Sequence, residues 1–337
     1  MSLLPFLHRV ASGENLSAEE AHAAMSVLLE GGASDAQIAG FLVALRMKGE
    51  TAPELAGFAR AMRERVIFVD AGADVIDTCG TGGDGPNTFN ISTAAALVMA
   101  GAGARVAKHG NRSISSQCGS ADVLEALGVR ISIAPAEAAQ AVREIGIGFL
   151  FAPNLHPAMR HAQPVRRELK MRTVFNLLGP LANPARARAQ LIGAPSPRAA
   201  QLMAEALAEL GTDHAFVVHG HDGLDEITTT GPTDVFEIWT GRVEKHLWMP
   251  ADFHVRRASL GELVGGDRDC NAQITRQILA GATGPHRDIA LVNAAAGLVA
   301  AGLVPDLNAG MTAAATAIDT GAAAEKLAAL QKRFPVQ

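Results

Sequence analysis

A glycine-rich loop between a buried apolar run and an alanine-rich helix constrains this chain more than any other feature. Val75 and Ile76 precede it, and residues 79–88 (CGTGGDGPNT) carry Gly80, Gly82, Gly83 and Gly85. Glycines at this density let backbone N–H groups turn inward and approach an anion closely. Asn90-Ile91-Ser92-Thr93 then opens a helix. Hydroxyls beside the unbonded N–H groups of a helix N-terminus favour phosphate. A short strand at 105–108 delivers Lys108, His109, Asn111 and Arg112 to the next loop, and Ser115, Ser116, Gly119 and Ser120 follow at another helix start. Three such loops within 77–122 read as a cradle for a polyphosphate.

Residues 80–85 formally satisfy GxGxxG, but the context disfavours a dinucleotide. That fingerprint leads directly into a helix and is followed by an acidic residue about 20 positions later. Here the helix begins near Ser92, and no Asp or Glu lies between Asp84 and Asp122. The next strand ends in Lys108-His109, and GxxxxGK[ST] is absent. A lone glycine loop is usually a tight surface turn. A solvated turn, however, has no need of a lysine at a strand end beside two serines.

Composition narrows the remaining classes. Nearly half of the 337 residues are hydrophobic (48%), enough for a sizeable core. A formal charge of −5 argues against a nucleic-acid partner, which would favour a basic face. Cys79, Cys118 and Cys270 show no ligand spacing and read as free thiols in a reducing cytoplasm. The start, MSLLPFLHRV, lacks the pattern of a signal peptide, and the longest apolar run, near 289–304, is short for a membrane span. A soluble cytoplasmic protein is expected.

Up to about residue 70 the pattern is helical. Ser17-x-x-Glu20 and Thr51-x-x-Glu54 read as capping boxes, and Ile38, Phe41, Leu42 and Leu45 mark one apolar face. Strands are expected at 75–78, 105–108, 129–133, 148–151, 190–194 and 214–219, with helices between most of them, including 135–145 and 197–210. This alternation predicts an α/β fold with a mostly parallel sheet and ligands at the strands' carboxyl ends. Runs at 227–230, 235–239 and 243–248 predict an antiparallel edge, and the alanine-rich tail from Asn271 predicts packing helices. The apolar segment 171–181 is placed against the N-terminal helices. The division expected is therefore a small helical domain, 1–70 joined by about 165–190, and a larger α/β domain, 71–164 and 191–337.

Further residues carry chemistry. Asp225-Glu226 follows the 214–219 strand. Adjacent carboxylates are often merely solvated, but beside a diphosphate they suit Mg²⁺, which takes one or two carboxylates plus phosphate oxygens and water. His219 and His221 alternate at a strand end but lack a third ligand in register. Cys118 reads as a packing residue because no base lies nearby in sequence. Arg166-Arg167-Glu168 is either a charged helix surface or a site where one arginine grips a substrate carboxylate.

GTGGD at 80–84, NIST at 90–93, KHGNR at 108–112, SSQCGSADVLEALG at 115–128, RTVFNLLGPLANP at 172–184 and DGLDE at 222–226 occur in this order. Together they resemble the anthranilate phosphoribosyltransferase family over essentially the whole chain. The resemblance implies a small helical domain beside an α/β domain of the nucleoside phosphorylase/phosphoribosyltransferase kind, usually as a homodimer. It implies transfer of the phosphoribosyl group of 5-phospho-α-D-ribose 1-diphosphate (PRPP) to anthranilate, a step of tryptophan biosynthesis, with Mg²⁺ as two ions.

By position, Gly80, Gly83, Asp84 and Thr88 of the first loop would contact PRPP, as would Asn90, Ile91, Ser92 and Thr93 at the helix start. From the second strand and its loop the resemblance adds Lys108, His109, Gly110, Asn111, Arg112 and Ser113. Ile114, Ser115, Ser116 and Ser120 complete the set. Ser92, Asp225 and Glu226 match magnesium ligands; Gly80, Asn111 and Arg166 match the anthranilate site. Lys108, His109 and Arg166 are the expected catalytic residues, with His109 the one candidate base. Many relatives carry a lysine where this chain has Gln117. Two other readings share the cradle: a pyrimidine nucleoside phosphorylase, which needs no acidic magnesium pair, and a non-catalytic relative that binds nucleic acid.

Overall fold

A computed structural model describes residues 2–82, 87–113 and 117–336. Four helices come first: α1 (Leu4–Ala11), α2 (Ala18–Leu29), α3 (Asp35–Lys48) and α4 (Ala52–Arg65). Side chains set where they begin. Ser17 Oγ accepts from the Glu20 N–H at 3.2 Å while the Glu20 carboxylate accepts from the Ser17 N–H at 2.9 Å, a closed capping box. At α4, Glu54 accepts from the N–H and hydroxyl of Thr51 at 2.9 and 3.0 Å. It is fully buried and also accepts from Lys48 Nζ and the Leu16 N–H, both at 2.9 Å. One carboxylate thus ties α3, α4 and the approach to α2 together. Ile38, Phe41, Leu42 and Leu45 are the buried face of α3, where Phe41 meets Phe58 edge-on at 6.1 Å.

Seven strands follow: β1 (Val75–Gly80), β2 (Arg105–Gly110), β3 (Ile147–Phe151), β4 (Ala189–Gly193), β5 (His214–Gly220), β6 (Thr233–Trp239) and β7 (Arg242–Trp248). They form one sheet in the order β3-β2-β1-β4-β5-β6-β7. The first five strands of that order run parallel, and β6 and β7 add an antiparallel edge. The edge turns through Thr240 and Gly241, both at positive φ (48° and 79°), the conformation a two-residue hairpin requires. Along β5, Phe216 and Val218 join one apolar cluster while Ala215 and Val217 join the other. The sheet is therefore covered on both faces, as parallel sheets are.

Helix α5 (Ile91–Gly101) follows β1, and α6 (Ser120–Ala126) and α7 (Pro135–Ile145) follow β2. Between β3 and β4 the chain forms α8 (Ala152–Leu155), α9 (Gln163–Leu169) and α10 (Phe175–Leu181); α11 (Pro197–Glu209) precedes β5. The tail is helical: α12 (Arg268–Leu279), α13 (Pro285–Ala300), α14 (Leu307–Asp319) and α15 (Ala322–Arg333). Phe175, Leu178 and Leu181 of α10 belong to the same apolar cluster as Leu55, Phe58 and Met62 of α4. Among the described residues no helix is long and apolar enough to cross a membrane.

Two expected strands are not formed. In 129–133 the backbone groups are used locally: the Val129 N–H donates to Leu124 O and the Arg130 N–H to Phe334 O, leaving one isolated bridge to Pro335. In 227–230, side chains take the ladder's place. Asn293 occupies the N–H and C=O of Ile227, and Thr228 and Thr230 donate their hydroxyls to Asp222. β-Branched residues there satisfy a loop's packing, not a sheet's.

Candidate active site

The strand order reverses between β1 and β4, and the crevice outside their carboxyl ends is where such sheets bind ligands. Gly80 of β1 pairs with Gly193 of β4 at that edge. A cleft of about 560 Å³ opens there, walled on one side by 79–82, 87–92, 108–113, 118–120 and Asp225-Glu226, and on the other by Met62 and residues of α8, α9 and α10.

Lys108 is a buried cation in the wall of the cleft. Its Nζ donates to Thr78 O at 2.6 Å and to Ser92 Oγ at 3.2 Å, leaving its third N–H without a partner among the described residues. Burial pushes its pKa down, and the opposing pull of Asp77 keeps it from falling further. Asp77 lies fully buried beneath it, its Oδ1 accepting the His109 N–H at 3.0 Å. Burial lifts the Asp77 carboxyl to about 6 against the stabilising effect of Lys108 and Asn183.

Asp225 and Glu226 are both nearly buried. Asp225 Oδ2 accepts the Gly82 N–H at 2.7 Å and the Thr81 hydroxyl at 3.5 Å. Glu226 Oε1 accepts the Ser92 N–H at 3.1 Å, placing a negative charge on the first turn of α5, where the helix dipole favours it. Contact with glycine brings the pair this close: a Cβ at Gly193 would overlap the Asp225 carbonyl oxygen, and one at Gly80 would overlap its carboxylate. Ser92, Asp225 and Glu226 thus meet at one wall as an all-oxygen donor set. No group of three or more His, Cys, Asp or Glu stands ready for a metal among the described residues. A cation here would complete its shell with substrate phosphate and water, the usual manner of Mg²⁺. The residues fit that ion.

The cleft also holds a histidine pair that spacing alone did not suggest. His109 Nδ1 is 3.2 Å from Gly179 O and His109 Nε2 is 3.2 Å from His156 Nε2. A carbonyl only accepts, so His109 donates from Nδ1, presents a bare Nε2, and receives the hydrogen from His156. Burial pushes His109 to about 3, with repulsion from His156 adding to it, and burial pushes His156 to about 4. The pair is neutral at physiological pH, and the lone pair on His109 Nε2 is engaged by the His156 N–H. Arg166 also lines the cleft, its guanidinium 5.1 Å from the centre of the Phe175 ring. Burial alone lowers its pKa. A half-buried arginine on an aromatic ledge suits a planar carboxylate.

The remaining expected residues divide three ways. Gly80, Thr88, Asn90, Ile91, Gly110, Asn111, Ser113 and Ser120 line the cleft. Arg112 lines it too, but its guanidinium is engaged by Asp122 at 2.8 Å and Glu125 at 2.7 Å. Thr93 is buried in the first turn of α5 and is not part of the lining. Gly83, Asp84, Ile114, Ser115 and Ser116 lie outside the described residues.

Asn90 is fixed from two sides, donating to Cys118 O and accepting from Asn271, both at 3.1 Å. Asp77, His156, Asn271 and the Gly179 carbonyl escaped the reading of motifs, although GPL at 179–181 lay within one. His219 and His221 form no metal pair, since His219 Nδ1 bonds Ala194 O and His221 Nε2 bonds Asp234. Burial raises the Cys118 thiol to about 11, which suits packing better than nucleophilic attack.

Comparison with known proteins covers the whole molecule. Residues 4–66 match the glycosyl transferase family, helical bundle domain, and residues 72–324 match the glycosyl transferase family, a/b domain. The chain is 61% identical over 333 residues to the anthranilate phosphoribosyltransferase of Solibacter usitatus (strain Ellin6076), covering 98% of each. It is 54% identical over 325 residues to that of Anaeromyxobacter sp. (strain Fw109-5), covering 96% of each. Among solved structures it matches the Thermus thermophilus enzyme with a TM-score of 0.92 at 44% identity, over 99% of both chains. The Saccharomyces cerevisiae enzyme in complex with PRPP and Mg matches with a TM-score of 0.89 at 29% identity, over 98% of this chain and 97% of that one. With this identity and coverage, on a cleft assembled from the same motifs, the chain belongs to the anthranilate phosphoribosyltransferase family.

Proposed function

We propose that this chain transfers the 5-phosphoribosyl group of PRPP to the amine of anthranilate, releasing pyrophosphate and N-(5-phosphoribosyl)anthranilate. The observation that carries this reading is the convergence of Lys108, Ser92, Asp225 and Glu226 on one wall of a cleft whose other wall holds Arg166. In this reading Gly80, Thr88, Asn90, Ile91, Ser92 and Ser120 hold the phosphates through N–H and hydroxyl groups. Lys108, desolvated and oriented by Thr78 and Ser92, faces the negative charge that grows on the leaving diphosphate. Preorganised charge of this kind in a dry site lowers the barrier without a proton transfer. Mg²⁺, held by Asp225, Glu226 and Ser92, would screen the diphosphate charge. Arg166 and Asn111 orient anthranilate so that its amine, already nucleophilic, meets C1′. His109 shapes this pocket as a neutral ring rather than serving as the base.

Anthranilate fluorescence tests the proposal. It should fall on addition of the chain with PRPP and Mg²⁺ and stay constant when either is omitted. Unchanged fluorescence, with thymidine cleaved in phosphate instead, would assign a nucleoside phosphorylase.

Finer points rest on the family and on particular residues. Two Mg²⁺ ions are assigned because the acidic pair offers two carboxylates side by side; calorimetry giving one ion per chain would correct this. A homodimer is assigned through the N-terminal helices, where Leu4 and Met47 expose apolar side chains, 83% in the case of Met47. A monomer in sedimentation would remove it. The free thiols Cys79, Cys118 and Cys270 suit a cytoplasmic location, checked by cell fractionation. The shared core of α4 and α10 supports assigning about 165–190 to the helical domain, which limited proteolysis can test.

A further inference from the structure

Helix α13 runs through the core with an apolar sequence interrupted by one fully buried amide, Asn293. A polar side chain in such a place is retained only if its hydrogen bonds are made. Asn293 makes three. Its Oδ1 accepts the Ile227 N–H at 3.0 Å, and its Nδ2 donates to Ile227 O at 2.9 Å and to Ile289 O at 2.9 Å. The amide therefore clips Ile227 by both backbone groups, as a neighbouring strand would. Ile227 directly follows Glu226 in the chain.

The other side of the acidic pair is held as firmly. Asp222 Oδ1 accepts the Leu224 N–H at 3.1 Å, while its Oδ2 accepts the hydroxyls of Thr228 and Thr230, each at 2.5 Å. The Asp225 backbone rests on Gly193 so closely that a Cβ there would overlap it. Loop 222–230 is thus irregular, buried from Leu224 to Thr230 and bound at each end, with Asp225 and Glu226 within the buried part. Within it, Ile227 is clipped to a separate helix through Asn293.

We infer that Asn293 is the positioning residue of the divalent-cation site, fixing the Glu226 and Asp225 carboxylates through the backbone of Ile227. This rests on the metal reading proposed above for that pair. Partners that orient ligands typically change metal affinity by about 10- to 100-fold when removed. A residue serving only the core would not change it once the protein is folded.

The test is Mn²⁺ binding to the full chain with pyrophosphate present, read by electron paramagnetic resonance and independent of turnover. Asn293→Asp keeps the acceptor for Ile227 N–H and replaces the donor facing Ile227 O. Asn293→Leu removes both, and the Asp variant keeps the test available if the Leu variant does not fold. Leu298→Ala, a buried change on the same helix, controls for lost packing. The expected result is Mn²⁺ affinity about 10- to 100-fold weaker in the Asn293 variants and within about twofold of wild type in Leu298→Ala. Wild-type affinity in the Asn293 variants, or an equal loss in Leu298→Ala, overturns the inference. Asp225→Asn with Glu226→Gln tells the two levels apart. If that double variant binds Mn²⁺ like wild type, the metal assignment itself is wrong, and the role of Asn293 with it.

Discussion

His156 donates a hydrogen bond to His109 across 3.2 Å between their Nε2 atoms, and the direction of that bond is set by the Gly179 carbonyl on the far side of His109. A proton added to His109 would sit on Nε2 and place a donor against the His156 donor, and a proton added to His156 would put an uncompensated charge in a buried site. Burial accordingly holds His109 at about 3 and His156 at about 4. In the unfolded chain both would titrate near ~6.5. Between those values the unfolded state binds more protons, so the pair's contribution is fully present above ~6.5 and is lost as pH falls toward the folded values. Asp77, raised to about 6, acts in the opposite sense, its contribution lost as pH rises from ~3.8 through 6. Global stability mixes the two, so the ring protons should be followed by NMR. The His109 and His156 resonances, assigned with His156→Gln, should stay at their neutral positions down to about pH 5. A midpoint near ~6.5 would show the pair to be solvated.

Lys108 and Asp77 share an interior where neither is comfortable alone. Lys108→Met should destabilise the protein by about 1–3 kcal/mol, since it removes the donor to Thr78 O and the charge that offsets the burial of Asp77. Asp77→Asn added to it should recover part of that loss. Because the stranded Asp77 then takes up a proton more readily on folding, the Lys108→Met deficit should be larger near pH 8 than near pH 5. Urea denaturation at both pH values measures this, and an equal deficit would mean that Asp77 is not the group responsible.

Arg166 lies on Phe175 within the cleft, where burial lowers its pKa. Arg166→Ala should weaken anthranilate use by about 1.5–3 kcal/mol, the range for a lost hydrogen bond to a charged group. The loss should appear in the anthranilate KM and leave the PRPP KM near wild type. Kinetics unchanged in anthranilate would remove Arg166 from the site.

Gly80 and Gly193 face the same aspartate with different consequences. At Gly80 the nearest obstacle to a methyl group is the Asp225 carboxylate, which can rotate, with the Asp225 carbonyl oxygen at 3.2 Å needing only a small shift; at Gly193 it is the Asp225 backbone itself, which cannot move aside. Gly80→Ala should therefore keep its melting temperature and require more Mg²⁺ for half-maximal rate. Gly193→Ala should lose about 1–3 kcal/mol of stability, the usual range for overpacking. Calorimetry with a magnesium titration separates the two, and equal melting temperatures would contradict the difference in contact.

Local chemistry was legible from the order of residues alone. The NIST helix start and Lys108 at a strand end could be placed within a few residues, because helix starts and strand ends are short-range structures. Alternating apolar runs likewise foretold the sheet and its antiparallel edge. Which of these meet was decided by tertiary packing. Ranges 129–133 and 227–230 look like strands, yet Phe334 O and Asn293 claim their backbone groups from far along the chain. His109 looks like a base until Gly179 and His156 take both of its nitrogens. Asp77 looks like an ordinary acid until burial raises it against the pull of Lys108. In each case the deciding partner is remote in sequence and is delivered by the register of the parallel strands and by the helices packed over their edge. No local pattern encodes such a meeting.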